Sequence, residues 1–334
     1  MNAIGIRYLS AGDVSAAMPP VEERLALAER AMTALVADAE LPPKIGVHPR
    51  PAGSFAHAMP AVLRDPRDPS GAGDLVGIKW VAGFPDNRAS GLPAIHAVVI
   101  LNDPSTGQPQ AILDGGPITA HRTAAVSGVA LARFGPAELG RAPRAAIIGA
   151  GVQGHSHLEV LGHLLPGVDL ALHDRHPDRA SALAEAARAT PGIAAVRTET
   201  SARDATRDAD VVITAASFTD PDRRQAMTAD WLTPDALVIA VDYATMCSAE
   251  VASAAALFLV DERGQFEANR AAGQFAGYPD PAATLGEAIL AGTERPATGR
   301  VVVTHLGVGL ADVVFADAIV RRAEGGGLGT TIGA

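Results

Sequence analysis

The chain passes through three hydrophobic patterns, and each predicts a different kind of structure. Near the start, Ser10 stands where it can cap a short helix. Pro19 and Pro20 interrupt that helix, and Val21 to Ala37 then carries apolar residues at helical spacing. From Ile45 to Ile112 the pattern becomes a series of short β-rich runs, among them Leu75 to Val81 and Ile95 to Leu101. Pro, Gly, Asp and Asn turns separate them, which predicts a strongly curved antiparallel sheet. After Thr119 a helix is expected around Arg122 to Phe134, and from there apolar strands alternate with helices. The expected strands are Ala145 to Ile148, Leu170 to His173, Ala194 to Arg197, Val211 to Thr214, Leu237 to Val241 and Leu257 to Val260. Alternating βα units of this length imply an α/β fold with a doubly wound parallel sheet. A last apolar strand, Arg300 to Thr304, precedes a closing helix near Val308 to Arg322 that could cross back to the first domain, and Gly325 to Gly329 reads as a flexible end.

Composition narrows the class. The 334 residues are enough for two domains, each with its own core. Hydrophobic residues make up 48% and charged residues 19%, and no apolar run approaches the roughly 20 residues of a membrane span, so a soluble protein is expected. Met1 to Ser10 lacks a basic segment followed by an apolar core, and the single cysteine, Cys247, cannot form an internal disulfide. Both point to a reducing cytoplasm. A net charge of −10 disfavours nucleic acid and anionic membranes as partners, yet leaves room for a local basic pocket that binds a small carboxylate. Nothing in the sequence supplies an activating partner for Cys247, which reads as an inert thiol, and His, Cys and carboxylate spacings show no metal-ligand pattern.

The most specific signal is GAGVQG. Gly149, Gly151 and Gly154 form G-x-G-x-x-G directly after the Ala145 to Ile148 strand and before a helical run from His155. The first glycine permits a tight turn, the second lets the backbone approach a pyrophosphate, and the third allows close helix-to-strand packing. This is the signature of a Rossmann dinucleotide site. Asp174 follows at the end of the next strand, where a carboxylate accepts from both ribose hydroxyls, which is NAD-type spacing. Arg175 beside it could instead hold a 2′-phosphate, so NADP is possible, but Asp174 would repel that phosphate and NAD is preferred. The expected cofactor-binding set is Thr123, Gly149, Gly151, Val152, Gln153, Gly154, Asp174, Arg175, Ala215 and Val241.

Three charged residues stand out elsewhere. Lys79 sits in LVGIKWVAG, so apolar that its ammonium must either snorkel to water or meet an anion such as a substrate carboxylate. Arg122 falls at the expected start of a helix, where free amides and a guanidinium can together hold a carboxylate; a surface salt bridge is the alternative. Asp242 follows the Leu237 to Val241 strand at the edge where ligands of open α/β sheets bind. It could exchange a proton with an amine or imine nitrogen, or equally cap the helix that follows.

Several separated motifs, in order, resemble the ornithine cyclodeaminase and mu-crystallin family over roughly Leu41 to Ala323. They are MPA at Met59, IKWV around Lys79, NDPSTGQP from Asn102, ITAHRTAA around Arg122, IIGAGVQG around Gly149, VDY and SAEV around Asp242, and LGVGLAD near the end. The resemblance implies NAD(P), a substrate with an α-amino or α-imino carboxylate, and a homodimer built through the N-terminal domains. It places Lys79 and Arg122 on substrate-carboxylate positions and Asp242 on an acid/base position. It also implies an α+β substrate-binding and dimerisation domain from 1–122 and 304–334, with a Rossmann domain over 123–303. Departures bear on the substrate. Lys44 replaces a carboxylate-binding arginine, His57 stands where ornithine cyclodeaminase has a glutamate for the distal ammonium, Ala94 replaces a hydroxyl residue, and His305 falls where a small serine lies near the nicotinamide. Either histidine could equally be a structural hydrogen-bonding residue. Three functions follow: an oxidoreductase of an amino acid, cyclic imino acid or ketimine; an ornithine or lysine cyclodeaminase; and a non-catalytic ligand-binding protein. Retained Lys79, Arg122 and Asp242 argue against the third, and loss of the glutamate at His57 weighs against the second, though Asp242 keeps it open, so the first is preferred.

Overall fold

A computed structural model describes residues 5–136, 139–219 and 221–333, apart from the side chain of Arg88; residues 1–4 of the start considered for a leader lie outside them. In chain order, the elements up to the long third helix are β1 (Ile6–Leu9), α1 (Ala11–Ala16), α2 (Val21–Ala34), β2 (Ala39–Glu40), β3 (Ile45–Val47), β4 (Phe55–Leu63), β5 (Leu75–Gly83), β6 (Ile95–Asn102), β7 (Pro109–Asp114) and α3 (Gly115–Phe134). Then follow β8 (Arg144–Ile148), α4 (Val152–Leu164), β9 (Val168–His173), α5 (Pro177–Arg188), β10 (Ile193–Thr198), α6 (Ala202–Thr206), β11 (Val211–Thr214), β12 (Leu237–Ala240), α7 (Ala249–Ser253), β13 (Leu257–Val260), α8 (Arg263–Ala271), β14 (Ala283–Thr284), α9 (Leu285–Leu290), β15 (Val301–Thr304), α10 (Gly309–Gly326) and β16 (Thr330–Ile332). They form two compact units: residues up to Arg122 together with those from Val308, and Thr123–Gly307.

The first unit is one sheet in the order β16-β1-β7-β6-β5-β4-β2, with β3 also paired to β4. The β2 to β7 strands pair antiparallel as their alternation predicts, but β1 adds in parallel to β7, so the sheet is mixed. The glycine-rich tail is not a loose end. α10 runs through Gly326, and β16 pairs antiparallel with β1, where Arg7 also donates to the Leu328 carbonyl at 2.8 Å. Composition alone missed this because the ordering comes from β1, whose Arg7 lies 321 residues before Leu328. α2 ends at Ala34, short of the expected Ala37, in a turn.

β4 and β5 bury alternate residues: Met59, Ala61, Leu63, Lys79 and Val81 face inward. α10 packs on that face. A Cβ on Gly309 would lie 2.4 Å from the Met59 carbonyl oxygen, so only glycine lets α10 start this close to β4. The helix expected from Arg122 begins earlier, at Gly115, because Asp114 accepts from the Gly116 amide at 2.8 Å and Pro117 is tolerated in a first turn.

The second unit is an all-parallel sheet ordered β10-β9-β8-β11-β12-β15-β13-β14. β11, β12 and β15 are buried along their whole length, as expected of strands covered on both faces. Strand order runs outward in opposite directions from β8 and β11, so the carboxyl edge between them is the switch point where ligands of such sheets bind. No helix among the described residues is long and apolar enough to cross a membrane.

Candidate active-site residues

The glycine motif leaves β8 at this switch point. Gly149 has φ 109°, and a Cβ there would lie 2.3 Å from the Ala215 carbonyl oxygen at the end of β11. At Gly154 a Cβ would meet the Gly149 carbonyl at 2.4 Å, so this glycine sets how closely α4 packs on the turn, and α4 begins at Val152 rather than His155. Gly151 differs: nothing lies within 4 Å of its Cβ position, and as the N-cap of α4 it brings no side chain to the first amides. Open space at the N-terminus of a helix is what a pyrophosphate requires. Asp174 is half-buried just past β9, and its carboxylate accepts from the Ala150 amide at 2.8 Å and the His176 amide at 2.8 Å. The turn is thereby tied to the carboxylate, which keeps lone pairs for a ribose diol. Arg175 is exposed beside it, Val152 is exposed at the start of α4, and Thr123 is buried in α3. These residues suit a dinucleotide.

Two strands along the same edge, Asp242 follows β12 and Val241. It is 2% exposed, and its Oδ2 accepts from the Ala216 amide at 3.3 Å. Burial pushes its pKa up to about 6, against the Ala216 amide and the Thr214 hydroxyl, which favour the anion. Thr214 is near enough to act in this way without a hydrogen bond of normal geometry, and Asp242 Oδ1 and Thr214 Oγ1 both lack one. The helix-cap alternative is overturned: Ser248 caps α7, its hydroxyl accepting from the Val251 amide. Directly after Asp242, Tyr243 and Ala244 have φ values of 54° and 60°, a strained pair for non-glycine residues. Tyr243 donates to the Leu306 carbonyl at 3.0 Å, and the Ala244 carbonyl accepts from the Gln225 amide at 3.0 Å, which together hold the turn. Cys247 is buried and its pKa is pushed up to about 12 by that burial, as an inert thiol requires.

His305 follows β15, the next strand along the edge, and is buried. Its Nε2 lies 2.8 Å from Ser127 Oγ, which in turn lies 2.8 Å from Nε2 of buried His157, whose Nδ1 lies 2.6 Å from the Gln153 carbonyl. The sequence reading found His305 and Gln153 but not the two residues that link them.

The first unit gathers cations. Lys79 is 1% exposed and meets an anion within the chain rather than water: Asp312 of α10, at 2.8 Å. Arg122 lies inside α3, not at its start, so helix-terminal amides do not assist it; its Nε donates to the other Asp312 oxygen at 3.1 Å. Burial pushes the Lys79 pKa down to about 7, with help from the Arg122 and Lys44 charges and against Asp312. Burial works to raise the Asp312 pKa, but the Arg122 and Lys79 charges win and hold it below the usual range. One carboxylate thus serves two cations and leaves the cluster with surplus positive charge. Lys44, half-buried before β3, also bears on His57, which is stacked on Phe55 at 4.6 Å. Burial first, then Lys44 and His48, lower the His57 pKa to about 4, so this ring is neutral. Asp312 was missed as a partner, although it closes the LGVGLAD motif as a carboxylate in the otherwise apolar first turn of α10.

The model of the ornithine cyclodeaminase/mu-crystallin family matches residues 10–327. The nodulation efficiency protein NfeD of Rhizobium meliloti is 34% identical over 333 residues, covering 98% of either chain. The ketimine reductase mu-crystallin of Mus musculus is 32% identical over 187 residues, which is 56% of this chain and 54% of that one. Among solved structures, Thermococcus litoralis Δ1-pyrroline-2-carboxylate reductase in complex with NADH and L-proline superposes with a TM-score of 0.83 at 26% identity, covering 98% of this chain and 100% of the other. With its parallel sheet, glycine turn and edge carboxylate in place, the chain belongs to the ornithine cyclodeaminase/mu-crystallin family.

Proposed function

We propose that this protein is an NAD-dependent oxidoreductase that reduces a cyclic imino acid or ketimine bearing an α-carboxylate, or interconverts an α-amino acid with its imine. The observation that carries the reading is Asp242, a buried carboxyl with a pKa of about 6 on the sheet edge that also holds the dinucleotide turn. A group titrating there can give a proton to nitrogen and take it back near neutral pH. A bound nicotinamide supplies or accepts the hydride at the α-carbon. The first unit acts as the substrate-binding domain: surplus positive charge on Lys79, Arg122 and Lys44 holds the carboxylate, with Asp312 keeping the two buried cations in register. The second unit is the cofactor-binding domain. Reductases of ketimines and of Δ1-pyrroline-2-carboxylate among the relatives support the same substrate class.

The outer face of the first unit's sheet supports a homodimer. Ala58, Trp80 and Val98 lie in register across β4, β5 and β6, and Pro60, Ile78, Ile100, Ile112 and Tyr8 form a second row from β4 to β1. Trp80 is 46% exposed, Val98 38% and Tyr8 41%, an apolar face suited to a second copy.

The test is to incubate purified protein with NADH or NADPH and a panel of cyclic imines and 2-oxo acids with ammonia or methylamine, following cofactor absorbance. Oxidation of the cofactor by imine substrates supports the reading. Conversion of ornithine to proline with catalytic NAD and no net reduction overturns it in favour of a cyclodeaminase.

A further inference from the structure

The row of side chains that starts at His305 contains one hydroxyl and two imidazoles, and it ends on a backbone carbonyl. That ending fixes the direction of every hydrogen in it. The Gln153 carbonyl can only accept, so His157 Nδ1 carries a hydrogen. Burial lowers the His157 pKa to about 4, so the ring is neutral and its Nε2 is an acceptor. Ser127 therefore spends its single hydroxyl hydrogen on His157 Nε2, 2.8 Å away. The Ser127 oxygen is left to accept, and the His305 Nε2 at 2.8 Å must be the donor. The backbone gives this ring little freedom: the His305 amide donates to the Ala240 carbonyl at 3.1 Å, and the next two amides, Leu306 and Gly307, donate to buried Asp261 at 2.9 and 2.7 Å.

We propose that Ser127 and His157 are positioning residues that lock His305 as its Nε2–H tautomer, presenting Nδ1 as a hydrogen-bond acceptor for the carboxamide N–H2 of the nicotinamide. The proposal rests on the dinucleotide reading above. Asp174 beside the glycine turn marks the adenosine-ribose end, so the nicotinamide half falls on the β11, β12 and β15 side of the switch point, where His305 stands. An acceptor nitrogen selects for an N–H donor, and the carboxamide is the donor that end of the cofactor carries. The hydrogen-bonded row ends on Gln153 in the first turn of α4, directly after the glycine turn, so the helix start that would face the pyrophosphate also sets the tautomer of the histidine at the far end.

The experiment has two readouts that do not depend on turnover. Long-range proton–nitrogen NMR of the 15N-histidine-labelled protein, without cofactor, identifies the tautomers. The expected result is Nδ1–H for His157 and Nε2–H for His305; an Nδ1–H or mixed His305 overturns the lock. The second readout compares binding of NAD with its 3-acetylpyridine analogue, which lacks the amide hydrogens. Wild type is expected to prefer NAD by about three- to tenfold, the value of one hydrogen bond. Ser127→Ala should lose both the single tautomer and this preference, and Ser127→Thr, which keeps the hydroxyl, should retain both. Equal discrimination in wild type and Ser127→Ala overturns the positioning role. If wild type binds neither NADH nor NADPH, the cofactor reading fails and the role of Nδ1 fails with it, while the NMR result decides the lock separately. Should Ser127→Ala fail to fold, the wild-type spectrum and Ser127→Thr still decide.

Discussion

Replacing Asp242 by Asn should make the protein more stable at neutral pH while removing its turnover. The folded Asp242 pKa of about 6 lies above the ordinary value of 3.8, so the folded state binds this proton more tightly than the unfolded chain. That advantage is complete below about pH 4 and is lost as pH rises through 6, when the buried carboxyl must ionise. The difference between 3.8 and about 6, at about 1.36 kcal/mol per pH unit, amounts to about 3 kcal/mol at pH 7 and above. Asn escapes this cost. Its amide oxygen can accept from the Ala216 amide, and its N–H2 can donate to Thr214 Oγ1, which lacks a partner. Urea denaturation of both proteins at a series of pH values tests the argument. The variant should match wild type near pH 4 and exceed it by up to about 3 kcal/mol at pH 7.5, or about 4 °C in Tm for a chain of this length. Its kcat should fall by roughly 100-fold or more with cofactor affinity unchanged. Parallel stability curves from pH 4 to 7.5 would refute the buried-carboxyl account, and near-normal kcat would remove Asp242 from the mechanism.

The remaining expectations concern binding and assembly. Titration of each cofactor should show NAD(H) preferred over NADP(H), because an Asp174 carboxylate would accept from a ribose diol and repel a 2′-phosphate; NADPH binding at least tenfold tighter would instead promote Arg175 to a phosphate ligand. Ornithine and lysine should be poor substrates, since neutral His57, with its pKa near 4, offers no fixed charge to a distal ammonium, a deficit on the order of 1–3 kcal/mol or more visible in kcat/KM. Arg122→Ala should chiefly raise KM for the carboxylate substrate, and direct substrate titration separates that effect from chemistry; an unchanged substrate Kd would exclude Arg122 from binding. Trp80→Glu should shift the protein toward monomer in sedimentation, as it puts a charge into the apolar sheet face; an unaltered mass would place any dimer contact elsewhere.

The sequence by itself determined the features that depend on neighbouring residues. The parallel sheet was legible because each buried strand is a short apolar run at regular spacing. The dinucleotide turn was legible because its three glycines answer to contacts within one strand–turn–helix unit, and Asp242 because it ends such a strand. Only the tertiary structure decided the rest. The anion that meets Arg122 lies 190 residues away on α10, and Ser127 and His305 are 178 residues apart. Neither pairing leaves a periodic trace. The same holds for the glycine tail, ordered by its pairing with β1, and for Asp242 itself, whose position was visible but whose pKa was not. Periodicity and propensity are written in local order, whereas desolvation and ion pairing are set by which elements the folded chain brings together and how completely water is excluded between them.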